Sequence, residues 1–99
     1  HGINGIVISQ NAVIGKNCFI SHQVTIGNSM GKAPVIGDNV YIGPGAKIFG
    51  PISIGSNVAI GANAVVNKSF ESNCTIAGVP AKVISNNSSS AYIGGSDEN

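Results

Sequence analysis

The sequence predicts an all-β protein, a parallel β-helix wound from hexapeptide repeats, and three observations predict it. Isoleucine recurs every six residues, at Ile8, Ile14, Ile20 and Ile26, then at Ile36, Ile42, Ile48, Ile54 and Ile60, with Val66 ending the second run. A helix needs apolar spacing of three to four, which a six-residue period does not supply. Finally, the chain combines Gly 14 with only 5% aromatic residues, so it has many tight corners and few bulky packing groups. One repeat cannot bury its own apolar face; only stacking closes the core.

The repeating unit reads Ile-Gly-x-x-small-x. It opens as Ile14-Gly15-Lys16-Asn17-Cys18-Phe19 and returns as Ile36-Gly37-Asp38-Asn39-Val40-Tyr41 and Ile54-Gly55-Ser56-Asn57-Val58-Ala59. Ile60-Gly61-Ala62-Asn63-Ala64-Val65 completes the series. β-branched residues favour brief strands, and the Gly and Asn between them tolerate the backbone angles of a bend. About three hexads close one triangular coil, so Ile8 falls under Ile26, and Ile26 leads to Ile48 and then Val66. About four coils span residues 5 to 84.

Two segments leave the pattern. Ile26 and Ile36 are ten residues apart, so four residues loop out between them without spoiling the phase; Asn28 to Pro34 reads as a projecting loop. Asn67 to Asn73 reads as a shorter excursion. After Ile84 the chain turns polar and low in complexity. The expected organisation is therefore a β-helix domain over 1–84, lacking upstream residues, and a polar tail over 85–99 that is flexible or folds only against a neighbour.

Ninety-nine residues suffice for one domain. The lysines are dispersed, arginine and tryptophan are absent, and the net charge is +1, which gives no reason to expect a nucleic-acid partner. No apolar run reaches the roughly twenty residues that span a bilayer, so no membrane partner and a cytoplasmic location are expected. The chain begins at His1 rather than Met, as an excised part of a longer protein would. Cys18 and Cys74 occupy the small inward position of the unit and read as buried free thiols. Two histidines and scattered cysteines make no convincing metal set.

Only His1 and His22 can act as bases near neutral pH. A neutral imidazole at His22 can accept a proton from a hydroxyl. Asp38 and Glu71 are the only carboxylates of the repeat region, too few and too scattered for a two-acid glycosidase mechanism. Nucleophile-elbow, dinucleotide and phosphate-loop motifs are missing. Gly43-Pro44-Gly45-Ala46-Lys47 and Gly61-Ala62-Asn63-Ala64 set small residues along a ridge where an extended ligand can approach the backbone. Ile76 to Ile84 adds a Gly and a Pro corner and a cation, Lys82, suited to phosphate.

With these residues in view, the chain resembles the hexapeptide-repeat acyltransferases. Within them it is most similar to serine acetyltransferase-like proteins, including those of bacterial polysaccharide gene clusters. The resemblance covers roughly residues 1–84. It rests on His1-Gly2 through Ile8, Val24-Thr25-Ile26-Gly27, Ala33-Pro34-Val35-Ile36-Gly37, Gly43-Pro44-Gly45-Ala46-Lys47-Ile48 and Ala77-Gly78-Val79-Pro80-Ala81-Lys82. It implies a left-handed β-helix, assembly as a homotrimer, and acetyl-CoA as acyl donor in a groove between neighbouring prisms.

By the same resemblance, His1 falls on the histidine that deprotonates the acceptor hydroxyl; His22, which has no histidine counterpart in the usual serine enzyme, is read from its own chemistry as a second polar contact or the base. Gly45, Ala46, Ala62, Ala64 and Gly78 to Lys82, Ala81 included, would line the pantetheine and nucleotide path, with Lys82 facing phosphate. The implied function is O-acetyl transfer to serine or a related small acceptor. The alternatives are a saccharide O-acetyltransferase, an amino-sugar N-acetyltransferase or a non-catalytic scaffold. Serine acetyltransferases usually carry Arg-His-Pro in the loop, and this chain reads Lys32-Ala33-Pro34, which makes a sugar hydroxyl a competitor to serine.

Overall fold

Each face of the predicted coil is realised as a ladder of very short parallel strands. The computed structural model describes residues 5–86 and contains no α-helix among them. Sheet A stacks β1 (Val7–Ile8), β4 (Thr25–Gly27), β7 (Lys47–Phe49) and β10 (Val65–Val66). Sheet B stacks β2 (Val13–Ile14), β5 (Val35–Ile36) and β8 (Ser53–Ile54). Sheet C stacks β3 (Phe19–Ile20), β6 (Tyr41–Ile42), β9 (Val58–Ile60), β11 (Cys74–Ala77) and β12 (Lys82–Ser85). All pairings are parallel except β11 with β12, where the chain reverses on itself. The result is a β-helix of about four turns.

The isoleucine period determines the register. Ile8 pairs with Ile26, Ile26 with Ile48, and Ile48 with Val66. Ile14, Ile36 and Ile54 form the column of sheet B, and Ile20, Ile42, Ile60 and Ile76 that of sheet C. Alternation along each strand sends these side chains inward and their predecessors outward. Ile26, Ile42, Ile48 and Ile60 are wholly buried, whereas Ile8 on the first described coil is 42% exposed. Cys74 lies in this core and Cys18 is half-buried against it; both are free thiols.

Bends between sheets need left-handed backbone, and two columns supply it. Asn17, Asn39, Asn57 and Asn73 take φ of 58°, 57°, 57° and 64° where sheet B turns into sheet C. Gly5, Gln23, Gly45 and Asn63 take 76°, 62°, 77° and 59° where sheet C turns into sheet A. Asn and Gly tolerate this region best, and the asparagine amides add contacts between coils, with Asn57 Nδ2 donating to Asn73 Oδ1 at 3.1 Å. Beside the first column, the Lys16 amide donates to Asp38 Oδ1 at 2.8 Å, the Asp38 amide to Ser56 Oγ at 3.0 Å, and the Ser56 amide to Ser72 Oγ at 2.8 Å. Side-chain oxygens thus satisfy corner amides that the strand ladders leave out.

The two departures from the repeat have different structures. Ser29 and Lys32 exchange backbone hydrogen bonds of 2.8 and 3.0 Å, and Met30 and Gly31 between them take φ of 55° and 79°. This is a two-residue hairpin with positive φ at both central residues. It projects where sheet A turns into sheet B, lengthens that coil to 22 residues and leaves the register untouched. Pro34 at its base is buried and accepts the Val13 amide at 3.1 Å.

The second segment, expected as an excursion, is a contraction. Ile54 bridges to Phe70, so residues 67–73 still traverse the face of sheet B, and the coil shortens to 16 residues. Phe70 fills the place of the missing isoleucine, half-buried against the core.

Candidate active site

The corner where sheet C turns into sheet A gathers most of the chemistry. Ile20, Ile42 and Ile60 are in register, and two residues beyond each stand His22, Pro44 and Ala62, which therefore form one ridge parallel to the helix axis. The Gly45 amide donates to the His22 carbonyl at 3.1 Å, and the Asn63 amide to the Pro44 carbonyl at 2.8 Å. Successive coils are about 4.8 Å apart, so an extended ligand on this ridge meets one coil per few bonds.

Beside the ridge lies a depression of about 310 Å³ lined by His22, Gln23, Pro44, Gly45, Lys47 and Asn63. Gly45 permits it: a Cβ there would collide with Asn63 Oδ1, and its φ is left-handed. His22 is exposed at the rim, outside the hydrophobic column of Ile20 and Val24 that flanks it. Lys47 Nζ donates to the Gly45 carbonyl at 3.0 Å, which holds the ammonium at the corner.

Of the residues expected on the ligand path, Gly45 and Ala62 lie on this corner, and Ala62 is exposed. Ala46 and Ala64 do not face it. Both are wholly buried, their methyl groups pointing into the core like Val40 and Val58. Their carbonyls accept the Thr25 and Lys47 amides at 3.0 and 2.8 Å. Sheet pairing likewise engages the amides of Gly43, Gly45, Gly61 and Asn63, leaving fewer free backbone donors than the ridge of small residues suggests; the Ala62 amide stays outside the ladder.

The segment from Gly78 to Lys82 folds back over the last coil. Val65 donates to the Gly78 carbonyl at 3.0 Å and accepts the Ala81 amide at 2.8 Å. The Val79–Pro80 peptide is cis, and Gly78 has φ of 102°. Ala81 is 3% exposed and packs inward, whereas Lys82 is exposed and pairs with Ala77 at the start of β12. The order along the corner is His22, then Pro44 and Gly45, then Ala62 and Asn63, then Gly78 and Lys82. His1 lies outside the described residues.

The Lys32-Ala33-Pro34 loop sits at the opposite end of sheet A from His22, so the two do not meet within one chain. No group of three or more His, Cys, Asp or Glu side chains gathers among the described residues. Lys47 and Asn63 stand within the two ridge segments of the sequence without being singled out there as lining residues, and Gln23 lies outside both. A usable signal was there: Gly5, Gln23, Gly45 and Asn63 occupy one position of successive coils, once the hairpin is allowed for.

The chain is similar to known proteins over most of its length. Residues 33–68 match the family model for the bacterial transferase hexapeptide (six repeats). A serine acetyltransferase of Synechococcus elongatus is 44% identical over 88 residues, 85% of this chain and 36% of that protein. The serine acetyltransferase of Brucella abortus, solved in complex with coenzyme A, superposes with a TM-score of 0.78 at 41% identity, over 82% of this chain and 34% of that one. The Neisseria gonorrhoeae serine acetyltransferase, solved in complex with serine, gives 0.76 at 49% identity, over 79% of this chain and 33% of that one. The chain thus spans about a third of the length of the relatives it matches.

Proposed function

This chain belongs to the hexapeptide-repeat acyltransferase family, and from that premise we propose that the protein transfers an acetyl group from acetyl-CoA to a hydroxyl of serine or a related small acceptor. The observation that carries the reading is the single corner on which His22, Gly45, Ala62, Gly78 and Lys82 follow one another, in a chain 41% identical to a serine acetyltransferase solved with coenzyme A. Acetyl-CoA lies extended along that corner. Its phosphates are toward Lys82, its pantetheine passes Ala62 and Gly45, and its thioester is toward the His22 end.

A neutral imidazole takes the proton of the acceptor hydroxyl as that oxygen attacks the thioester carbonyl carbon. The carbonyl oxygen becomes an oxyanion, for which an unengaged N–H is the natural partner. Collapse breaks the carbon–sulfur bond, forms the acetyl ester and returns the proton from imidazolium to sulfur, releasing CoA as the thiol. His1, by its resemblance, and His22, by its place at the rim, are the two candidates for this base.

A homotrimer completes the site. The hairpin and His22 occupy different corners of one prism, so the hairpin of a neighbouring subunit closes the groove. Val13, Phe19 and Val35 offer apolar outer surface, 57%, 51% and 49% exposed, for such packing.

Thiol release followed across an acceptor panel tests the reaction. Serine-dependent release, reduced at least a hundredfold in turnover by replacing the true base, is expected. Acetyl-CoA that stays intact with every acceptor refutes the enzyme. A saccharide acceptor is the second reading, favoured by Lys32-Ala33-Pro34, which offers neither an arginine nor a histidine to an amino-acid substrate. Turnover with a sugar hydroxyl and none with serine decides for it.

A further inference from the structure

We propose that Lys47 is the anion-recognising residue of the depression beside His22, and that the bound group is a phosphate or carboxylate carried by one of the two reactants. Lys47 follows Ala46 on β7 and points outward from sheet A, where its ladder neighbours are Thr25 and Val65, neither of them charged. Its ammonium is held by one hydrogen bond, 3.0 Å to the Gly45 carbonyl. An ammonium has three donors, so two remain for a ligand. Around it stand the imidazole of His22 and the neutral side-chain amides of Gln23 and Asn63, and among the described residues no carboxylate lines the depression.

The two carboxylates of the described repeat lie elsewhere. Asp38 accepts the Lys16 amide where sheet B turns into sheet C, and Glu71 adjoins Ser72 in the same column. A cation positioned by a carbonyl, with neutral polar side chains around it and no carboxylate beside it among the described residues, favours negative charge. Lys82 and Lys32 do not share this depression. The identity of the ligand rests on the acyl-transfer reading; anion binding itself does not. The two sources are a carboxylate on the acceptor bound near His22, and the diphosphate of acetyl-CoA, which would then sit at Gly45 rather than beside Lys82.

The test compares Lys47→Met, which keeps the aliphatic stem, and Lys47→Arg, which keeps the charge, in the full-length trimer. Acetyl-CoA is set against acetyl-pantetheine, which lacks phosphates, and serine against serinamide, which lacks the carboxylate. Lys47→Met should raise KM about tenfold for the charged member of one pair and leave its neutral analogue unchanged, the scale of one charge-assisted hydrogen bond. Lys47→Arg should recover most of the loss. A rise confined to acetyl-CoA assigns the diphosphate, and a rise confined to serine assigns the carboxylate. Equal changes for charged and neutral analogues, or no change in either pair, overturn the proposal.

A second readout needs no turnover. Titrating inorganic phosphate while following the His22 and Asn63 resonances should give saturable shifts that Lys47→Met abolishes. Identical titrations in both proteins overturn the anion site. A wild type without any acyl transfer, yet with Lys47-dependent phosphate shifts, overturns the enzymatic reading and leaves the anion site standing.

Discussion

Gly37 shows how tightly a single residue is bound to its neighbour one coil away. A Cβ at Gly37 would sit 2.7 Å from Ser56 Oγ and 2.8 Å from the Ser56 amide nitrogen, and backbone cannot step aside cheaply. Gly37→Ala should therefore destabilise the protein by about 1–3 kcal/mol, an overpacking cost measured by urea unfolding. Met30, 96% exposed at the hairpin tip, provides the contrast: Met30→Ala should stay within about 0.5 kcal/mol of the parent. Burial pushes the Cys74 thiol up, and the Glu71 carboxylate beside it pushes in the same direction. The folded thiol holds its proton to higher pH than the unfolded one, so its contribution is complete below the unfolded pKa and disappears as pH rises through the folded value. A thiol reagent at pH 8 should accordingly spare Cys74 until denaturant is added, when its labelling rate rises to that of a free thiol.

Among the elements, the corners carry as much of the fold as the strands. Most strands have only two or three residues, so register is held by the stacked asparagines and by the Lys16–Asp38–Ser56–Ser72 chain of amide and side-chain contacts. Ser56→Ala removes the partner of the Asp38 amide and should cost about 1 kcal/mol, read as a lower urea midpoint at unchanged slope. The hairpin makes the opposite prediction. Its two ends are joined by the Ser29 and Lys32 backbone, so deleting Ser29 to Lys32 shortens the coil from 22 to the 18 residues of its neighbours. Secondary structure and thermal midpoint should hold to within a few degrees, with acetyl-transfer turnover lost if the hairpin closes the groove.

The inward columns were legible in the sequence because isoleucine repeats on one phase, and Ile8, Ile26, Ile48 and Val66 align as the spacing predicts. The side chains of Ala46 and Ala64, expected along the ligand path, turn into the core, because the small position of the unit faces inward in them as in Val40, Val58 and Cys74. The isoleucine phase fails over residues 67–73, which from the sequence predicts a short excursion. In fact two residues are missing and Phe70 bridges the gap, which sequence spacing alone does not distinguish from an excursion.

At the scale of the whole molecule, a narrow prism with apolar outer residues invites association. Val13, Phe19 and Val35 remain exposed, and Phe19 stacks on Tyr41 with ring centroids 5.3 Å apart and planes 2° from parallel. Sedimentation should find a trimer, and Val13→Glu with Val35→Glu should shift it to monomer while leaving the coil spectrum intact; a monomeric parent would refute the shared groove. By itself the sequence determined the β-helix, because a six-residue apolar period can be buried only by stacking coil on coil. Only the tertiary structure decided which polar residues meet. His22, Gly45, Lys47 and Asn63 are scattered along the chain, and they converge because each coil returns to the same corner after 18 residues, or 22 where the hairpin intervenes.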